Sequence, residues 1–219
     1  MTALSREASI DPACAALLIV DVQNYCAHPE GGAWRGLDAA AFAQKCGHLF
    51  HSLRESVLPN LGRLIAACRA APVEVVYSVI ENLTRDGRDR SLDYKISGID
   101  VPPGSWDAQV PPELAPGPDE IVLRKTSSDV FVSTNLDYVL RNLDVRFLIV
   151  GGLLTDQCVE SAVRHACDLG YLVTLATDAC ATTSPERHEQ SLAGLRGYCR
   201  QRRTAAILAE IAASVPPIL

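Results

Sequence analysis

Phe147-Leu148-Ile149-Val150-Gly151-Gly152-Leu153-Leu154-Thr155-Asp156-Gln157-Cys158-Val159 couples a short apolar run to two glycines and then to a polar turn. Glu160 to Ala166, which follow, have helical composition. The stretch therefore reads as a buried β-strand giving way to a helix, the joint that recurs in α/β folds. Cys158 falls in the first turn of that helix, where unpaired N–H groups and the positive end of the helix dipole favour a thiolate. A packed, unreactive thiol is the other explanation, because free cysteine is among the most buried residue types.

Working outward, five more segments read as strands. Ala15–Asp21 and Val73–Ile80 precede the quoted stretch, as does Glu120–Arg124; Leu172–Ala176 and Thr204–Leu208 follow it, and the central strand itself covers Arg146–Gly151. Helical patterns lie between them at Leu53–Ala71, Asn135–Leu143, Asp156–Asp168 and Pro185–Tyr198. Alternation of this kind predicts a mostly parallel six-stranded sheet with helices on both faces, a three-layer α/β/α architecture.

In such sheets the carboxyl ends of the strands form one edge, and ligands bind there near the topological switch point. The first strand ends in Asp21 and the third runs into Lys125, so an acid, an ammonium and the Cys158 thiol share that edge. Read singly, Asp21 also suits a turn cap and Lys125 a solvated loop charge. Two long segments without periodicity leave the same edge, Cys26 to Lys45 and Asn82 to Pro118. Loops of that length in a compact domain are usually functional or disordered, and here they read as pocket walls and lids. Trp34, Tyr25 and Trp106 are candidates for their apolar surface, although Trp106 also suits packing within its own loop.

A chain of 219 residues, 48% of them hydrophobic, has material for a large core, and its length favours one domain over residues 1–219. The formal charge of −6 argues against a nucleic-acid partner, which needs clustered Lys and Arg. The one short basic cluster, Arg200-Gln201-Arg202-Arg203, reads as a solvated helix end. No apolar run is long enough to span a bilayer, so no membrane partner is expected. Met1 to Pro12 has no apolar core before a small-residue cleavage site, and the eight cysteines include no Cys-x-x-Cys pair. Both features predict a cytoplasmic protein with reduced thiols.

Three ordered motifs carry a specific resemblance. They are Asp21-x-Gln23 after the first strand, Lys125 with Phe131 six residues later, and Gly-x-x-Thr155-Asp156-x-Cys158-Val159, followed by Ala166-Cys167-Asp168-Leu169-Gly170-Tyr171 and Ala176-Thr177-Asp178-Ala179-Cys180-Ala181. Together they resemble the isochorismatase-like cysteine hydrolases over roughly residues 15 to 208. The resemblance implies a Rossmann-like sheet of order 3-2-1-4-5-6 and a catalytic triad of Asp21, Lys125 and Cys158. It also implies an oxyanion hole from the backbone N–H groups of Leu154 and Cys158, a cis peptide at Leu153–Leu154, and a thioester-like covalent intermediate. It implies no cofactor, and self-association as a dimer or tetramer.

Nicotinamidases of that superfamily place Asp-x-His and a further His after the second strand. Here the region reads Ser78-Val79-Ile80-Glu81-Asn82-Leu83-Thr84-Arg85-Asp86, and no histidine occurs between His51 and His165, so no metal site is expected. His28, His48, His51 and His188 read as surface or structural residues. Cys26 stands where the family often has an aromatic, with Tyr25 one place earlier. Asp129 replaces a common small Ser; near a pocket mouth it favours N–H-rich or cationic groups over anions, though it also suits a cap for the helix near Asn135. Pro103-Gly104-Ser105-Trp106-Asp107 is similar to the corresponding loop of ureide-cleaving members such as biuret hydrolases. The expected pocket residues are Gln23, Tyr25, Trp106, Asp129, Phe131 and Gln157.

Three readings follow. The first is a cofactor-free cysteine hydrolase of a linear C–N bond in a small amide, ureide or N-carbamoyl compound. The second is an isochorismatase-type vinyl-ether hydrolase, for which Arg85, Arg88 and Arg90 are the available anchors for two carboxylates. The third is a non-catalytic small-molecule-binding protein on the same scaffold.

Overall fold

The computed structural model describes residues 5–214; Met1 to Leu4 of the amino-terminal segment read above, and residues 215–219, lie outside it. Six strands form one parallel sheet: β1 (Ala15–Val20), β2 (Val73–Ile80), β3 (Ile121–Lys125), β4 (Phe147–Leu153), β5 (Leu172–Ala181) and β6 (Arg200–Arg202). Their order is β3-β2-β1-β4-β5-β6, so the chain reverses direction across the sheet between β1 and β4. The fold is the expected three-layer α/β/α.

β1 is buried on both faces, as a central parallel strand with an unbroken Ala-Ala-Leu-Leu-Ile-Val sequence should be. Its alternate residues serve two cores. Ala15, Leu17 and Ile19 pack with α2 (Ala39–Ser52), α3 (Leu58–Arg69) and α9 (Thr204–Ser214), while Ala16, Leu18 and Val20 pack with α6 (Leu136–Asn142) and α7 (Glu160–Asp168). The remaining helices are the short α1 (Asn24–Ala27), α4 (Leu92–Ile96) and α5 (Val130–Ser133), and α8 (Pro185–Gly194).

Gly152 shows why the quoted stretch needs its glycines. Its φ is +130°, and a Cβ there would stand 2.1 Å from the Val20 carbonyl oxygen. Only a residue without a side chain lets the end of β4 lie against the end of β1.

Four sequence expectations are corrected. Thr204–Leu208 is the start of helix α9, and the sixth strand is Arg200–Arg202 instead. A five-residue apolar run does not distinguish strand from helix, and Ala205 and Ala206 favour the latter. Thr204 also anchors the helix start, its N–H and hydroxyl both donating to Asp178 Oδ1 at 2.7 Å. The basic cluster is accordingly not a solvated helix end: Arg200 is only 2% exposed, sits in β6, and is held by Glu210 and the Thr174 hydroxyl. The second half of the Cys26–Lys45 segment is helical, because Asp38 caps α2 by accepting from the Ala41 N–H. Finally, the helix expected to run from Leu53 is continuous with α2 through one π-type turn, Leu53–Val57.

Among the described residues no helix is long and apolar enough to cross a membrane.

Candidate active site

Asp21 follows β1, Lys125 ends β3, and Cys158 lies in the π-type turn Thr155–Val159 that joins β4 to α7. The strand order brings all three to the reversal point. Lys125, fully buried, places its Nζ 2.9 Å from Asp21 Oδ2 and 3.3 Å from Cys158 Sγ. The contact with Oδ2 is a charge contact without hydrogen-bond alignment, and the same carboxylate interacts with the Cys158 thiol. Asp21 Oδ1 accepts from the Ser78 hydroxyl at 3.0 Å. Asp21 itself adopts φ +53°, a left-handed conformation that Asp tolerates better than most residues. The Leu153–Leu154 peptide is cis.

The ammonium is enclosed by further acceptors. It donates to the Tyr94 hydroxyl at 2.9 Å, and to the carbonyls of Ser127 and Ser128 at 2.8 and 3.2 Å. Burial opposes the charge on Lys125, but the Asp21 carboxylate, with Cys158 and Tyr94, outweighs it and holds the lysine pKa well above its ordinary value. Lys125 is therefore a fixed cation.

The helix end is expected to favour a thiolate at Cys158, and its burial here works against that influence. Burial is the largest influence and raises its pKa to about 11; Lys125 pulls the value down, and Asp21 pushes it up. Desolvation outweighs the helix end. The ground state is a neutral thiol beside a carboxylate and an ammonium.

A cavity of about 550 Å³ opens onto this group. Asp21, Tyr94 and Cys158 line it, whereas Lys125 stands behind the wall and reaches the sulfur from the protein side. Of the six expected pocket residues, Tyr25 and Gln157 line the cavity. The structure places the other four elsewhere. Gln23 is fully buried, its amide donating to the Ile80 and Asp107 carbonyls and accepting from the Ile80 N–H at 2.6 Å. Trp106 is 43% exposed and packs edge-on against His28. Asp129 caps α5 through the Phe131 N–H and pairs with His165 Nδ1 at 2.7 Å. Phe131 is buried against His165 and Tyr171.

Both long connections supply wall. Cys26, Trp34 and Lys45 come from the first, and Asp93, Tyr94, Ser97 and Ile99 from the second. Tyr94 is the important residue that sequence reasoning missed. Its signal was faint: Ser91-Leu92-Asp93-Tyr94 is the capped start of the five-residue helix α4, with Ser91 Oγ accepting from the Tyr94 N–H.

Among the described residues no group of three or more His, Cys, Asp or Glu is placed to hold a metal ion. Glu81, which ends the second-strand region, is committed to Arg124 and to the Gly104 N–H. His188 is engaged with the Thr155 hydroxyl at 2.9 Å.

Comparison with known proteins places the chain. Residues 15–207 match the Isochorismatase domain family. A solved cysteine hydrolase from Pseudomonas syringae pv. phaseolicola 1448A is similar with a TM-score of 0.80 and 24% identity, covering 98% of this chain and 100% of that one. A hydrolase of the isochorismatase family from Chromobacterium violaceum ATCC 12472 is similar at 0.70 and 26%, covering 94% and 97%. N-carbamoylsarcosine amidase from Thermoplasma acidophilum shares the fold at 0.65 and 23%, covering 87% and 96%. With a match that spans most of its length and a sheet of the same order, the chain belongs to the isochorismatase family.

Proposed function

We propose that this protein is a cysteine hydrolase that cleaves a linear C–N bond in a small amide, ureide or N-carbamoyl compound, without a cofactor. The observation that carries the reading is the buried Asp21–Lys125–Cys158 cluster, with Nζ at 2.9 Å from the carboxylate and 3.3 Å from the sulfur, at the floor of the cavity.

The chemistry follows from the charges. Asp21 takes the proton of the Cys158 thiol as the sulfur attacks the substrate carbonyl carbon, and Lys125 offsets the negative charge that moves onto sulfur. The resulting oxyanion is received by the backbone N–H groups of Leu154 and Cys158; such donors contribute a few kcal/mol each. Asp21 then delivers the proton to the departing nitrogen, releasing ammonia or an amine and leaving a thioester-like intermediate, a thioester from an amide and a thiocarbamate from a ureide or N-carbamoyl compound. The same carboxylate activates water, which cleaves that intermediate and regenerates the thiol.

The wall favours this over the vinyl-ether reading. Lys45 is its one cation among the described residues, Arg88 is paired with Asp86, and Arg90 donates to the Gly87 and Ile99 carbonyls. Nothing in it matches a substrate with two carboxylates. A purely binding role has no use for a buried thiol held between an acid and an ammonium. Self-association as a dimer or tetramer and a cytoplasmic location belong to the same proposal.

Ammonia release from a panel of amides, ureas and N-carbamoyl amines tests the reading. The wild-type chain turns over at least one member and Cys158→Ala none. Pyruvate release from isochorismate with no ammonia from the panel, or turnover retained by Cys158→Ala, overturns it.

A further inference from the structure

Two charged side chains on the cavity wall take no part in the Asp21–Lys125–Cys158 cluster. Lys45 comes from α2 and Asp93 from α4, one from each long connection. Neither has an ion-pair or hydrogen-bond partner among the described residues, and they stand too far apart to pair with each other. Elsewhere in the same connections Arg35 pairs with Asp107, Arg88 with Asp86 and Arg90 with Asp100. Lys45 and Asp93 are exposed, whereas the residues next to them in the chain, Cys46 and Tyr94, are buried. The two charges therefore stand on the solvent side of the cavity, away from the sulfur at its floor.

The walls that carry them are already joined. Arg35 Nη2 donates to Asp107 Oδ2 at 2.9 Å and the Gly32 N–H to Asp107 Oδ1 at 3.2 Å, across the two connections. Trp34, Ile80 and Ile99 give the same cavity apolar surface suited to methylene groups.

We propose that the substrate is a zwitterionic amino acid whose side chain ends in a carboxamide or ureido group, with Lys45 receiving its carboxylate and Asp93 its ammonium while the terminal carbonyl carbon meets Cys158. This rests on the reading of the protein as a hydrolase of amides and ureides. One molecule that carries both charges completes two charge-assisted contacts that the protein cannot make with itself. A molecule with either charge alone leaves the opposite wall residue to water, and a second carboxylate would meet Asp93. Complementarity of this kind sets the choice among substrates more than raw affinity. Water adds at the carbonyl carbon and the terminal C–N bond breaks, so a carboxamide yields a carboxylate and ammonium, and a ureido group a carbamate and ammonium. The zwitterionic end is unchanged.

The test measures ammonia release by the full-length chain from two sets of compounds. The first is L-glutamine, glutaramate, γ-aminobutyramide and butyramide, which carry both charges, the carboxylate alone, the ammonium alone and neither; the second is L-citrulline with its matching ureido analogues. A hydrogen bond to a charged group corresponds to roughly a tenfold change in an equilibrium. In at least one set kcat/KM should therefore be about tenfold higher for the zwitterion than for either singly charged analogue, with most of the difference in KM. Lys45→Met should erase the preference over the analogue that lacks the carboxylate, and Asp93→Asn the preference over the analogue that lacks the ammonium. These ratios read the substrate's charges, and a merely structural role for either residue does not move them. Equal kcat/KM across both sets, a preference for the neutral compounds, or a zwitterion preference that survives in both variants overturns the proposal. So does the absence of ammonia from both zwitterions; ammonia from other amides or ureas would then leave the hydrolase reading standing, and its absence from all of them would remove that reading too.

Discussion

The Ser78 hydroxyl donates to Asp21 Oδ1 at 3.0 Å, across the β1–β2 pair and on the side of the carboxylate away from Lys125. One oxygen is thereby held by a neutral donor while the other is left for the ammonium and the thiol. Removing that donor leaves a buried carboxylate oxygen unsatisfied. Ser78→Ala is expected to cost about 1–3 kcal/mol in urea unfolding and to slow turnover by roughly tenfold, since the carboxylate is free to turn. Unchanged stability and turnover would show that the hydroxyl does not hold Asp21.

Gly152→Ala sets a Cβ 2.1 Å from the Val20 carbonyl at a φ of +130°. Backbone, not a flexible side chain, is in the way. The loss should be on the order of 3 kcal/mol or more, seen as a fall in the urea midpoint. Gly98→Ala is the control: its φ is +72° with nothing within 4 Å of the added carbon, so only conformational strain of about 1–2 kcal/mol is expected. Equal losses would mean that the close approach of β4 to β1 is not needed.

The buried thiols, with the half-buried Cys167, make stability fall in alkali. Burial raises Cys158 and Cys167 to about 11, and Cys68, Cys180 and Cys199 to about 12, from an ordinary value of 9.0. In the unfolded chain these groups lose protons above pH 9 while in the folded chain they keep them. Their contribution is therefore complete below pH 9 and is lost as pH rises toward 11 to 12, each thiol adding a slope of up to about 1.4 kcal/mol per pH unit. Urea midpoints at pH 8 and pH 10 check the sign: the value at pH 10 should be clearly lower.

Asp21 and Lys125 form a buried pair, so breaking it from one side is worse than removing both charges. Lys125→Ala leaves a carboxylate uncompensated and should cost about 3–5 kcal/mol. Asp21→Asn with Lys125→Ala should be more stable than Lys125→Ala alone. In turnover the double variant should be little worse than the more damaged single one, because parts of one unit do not add. Fully additive losses in stability and rate would mean that the two residues act independently.

Chelation gives the last expectation. Glu81 is tied to Arg124 and Gly104, and no histidine stands in the region after β2, so activity should persist after exhaustive treatment with a chelator. Activity restored only by added metal would refute this.

The sequence by itself determined the sheet and its reactive edge. Unbroken apolar runs such as Ala15–Val20 mark strands buried on both faces, and the residues that end them, Asp21 and Lys125, stand where parallel strands gather their carboxyl ends. The motif around Cys158 added the thiol and, through the family resemblance, the strand order. Local patterns were blind where only distant partners set the structure. β6 has the sequence Arg-Gln-Arg and is a strand because it pairs with Thr174 to Ala176 of β5, where Arg200 also finds the Thr174 hydroxyl and Glu210. Gln23, Asp129 and Phe131 are spaced as pocket residues, yet each is drawn to partners in other elements that satisfy or bury it. Tyr94 was barely legible for the same reason. Its place beside Lys125 depends on a 31-residue separation closed by the fold, and the thiol's raised pKa depends on how completely that closure excludes water.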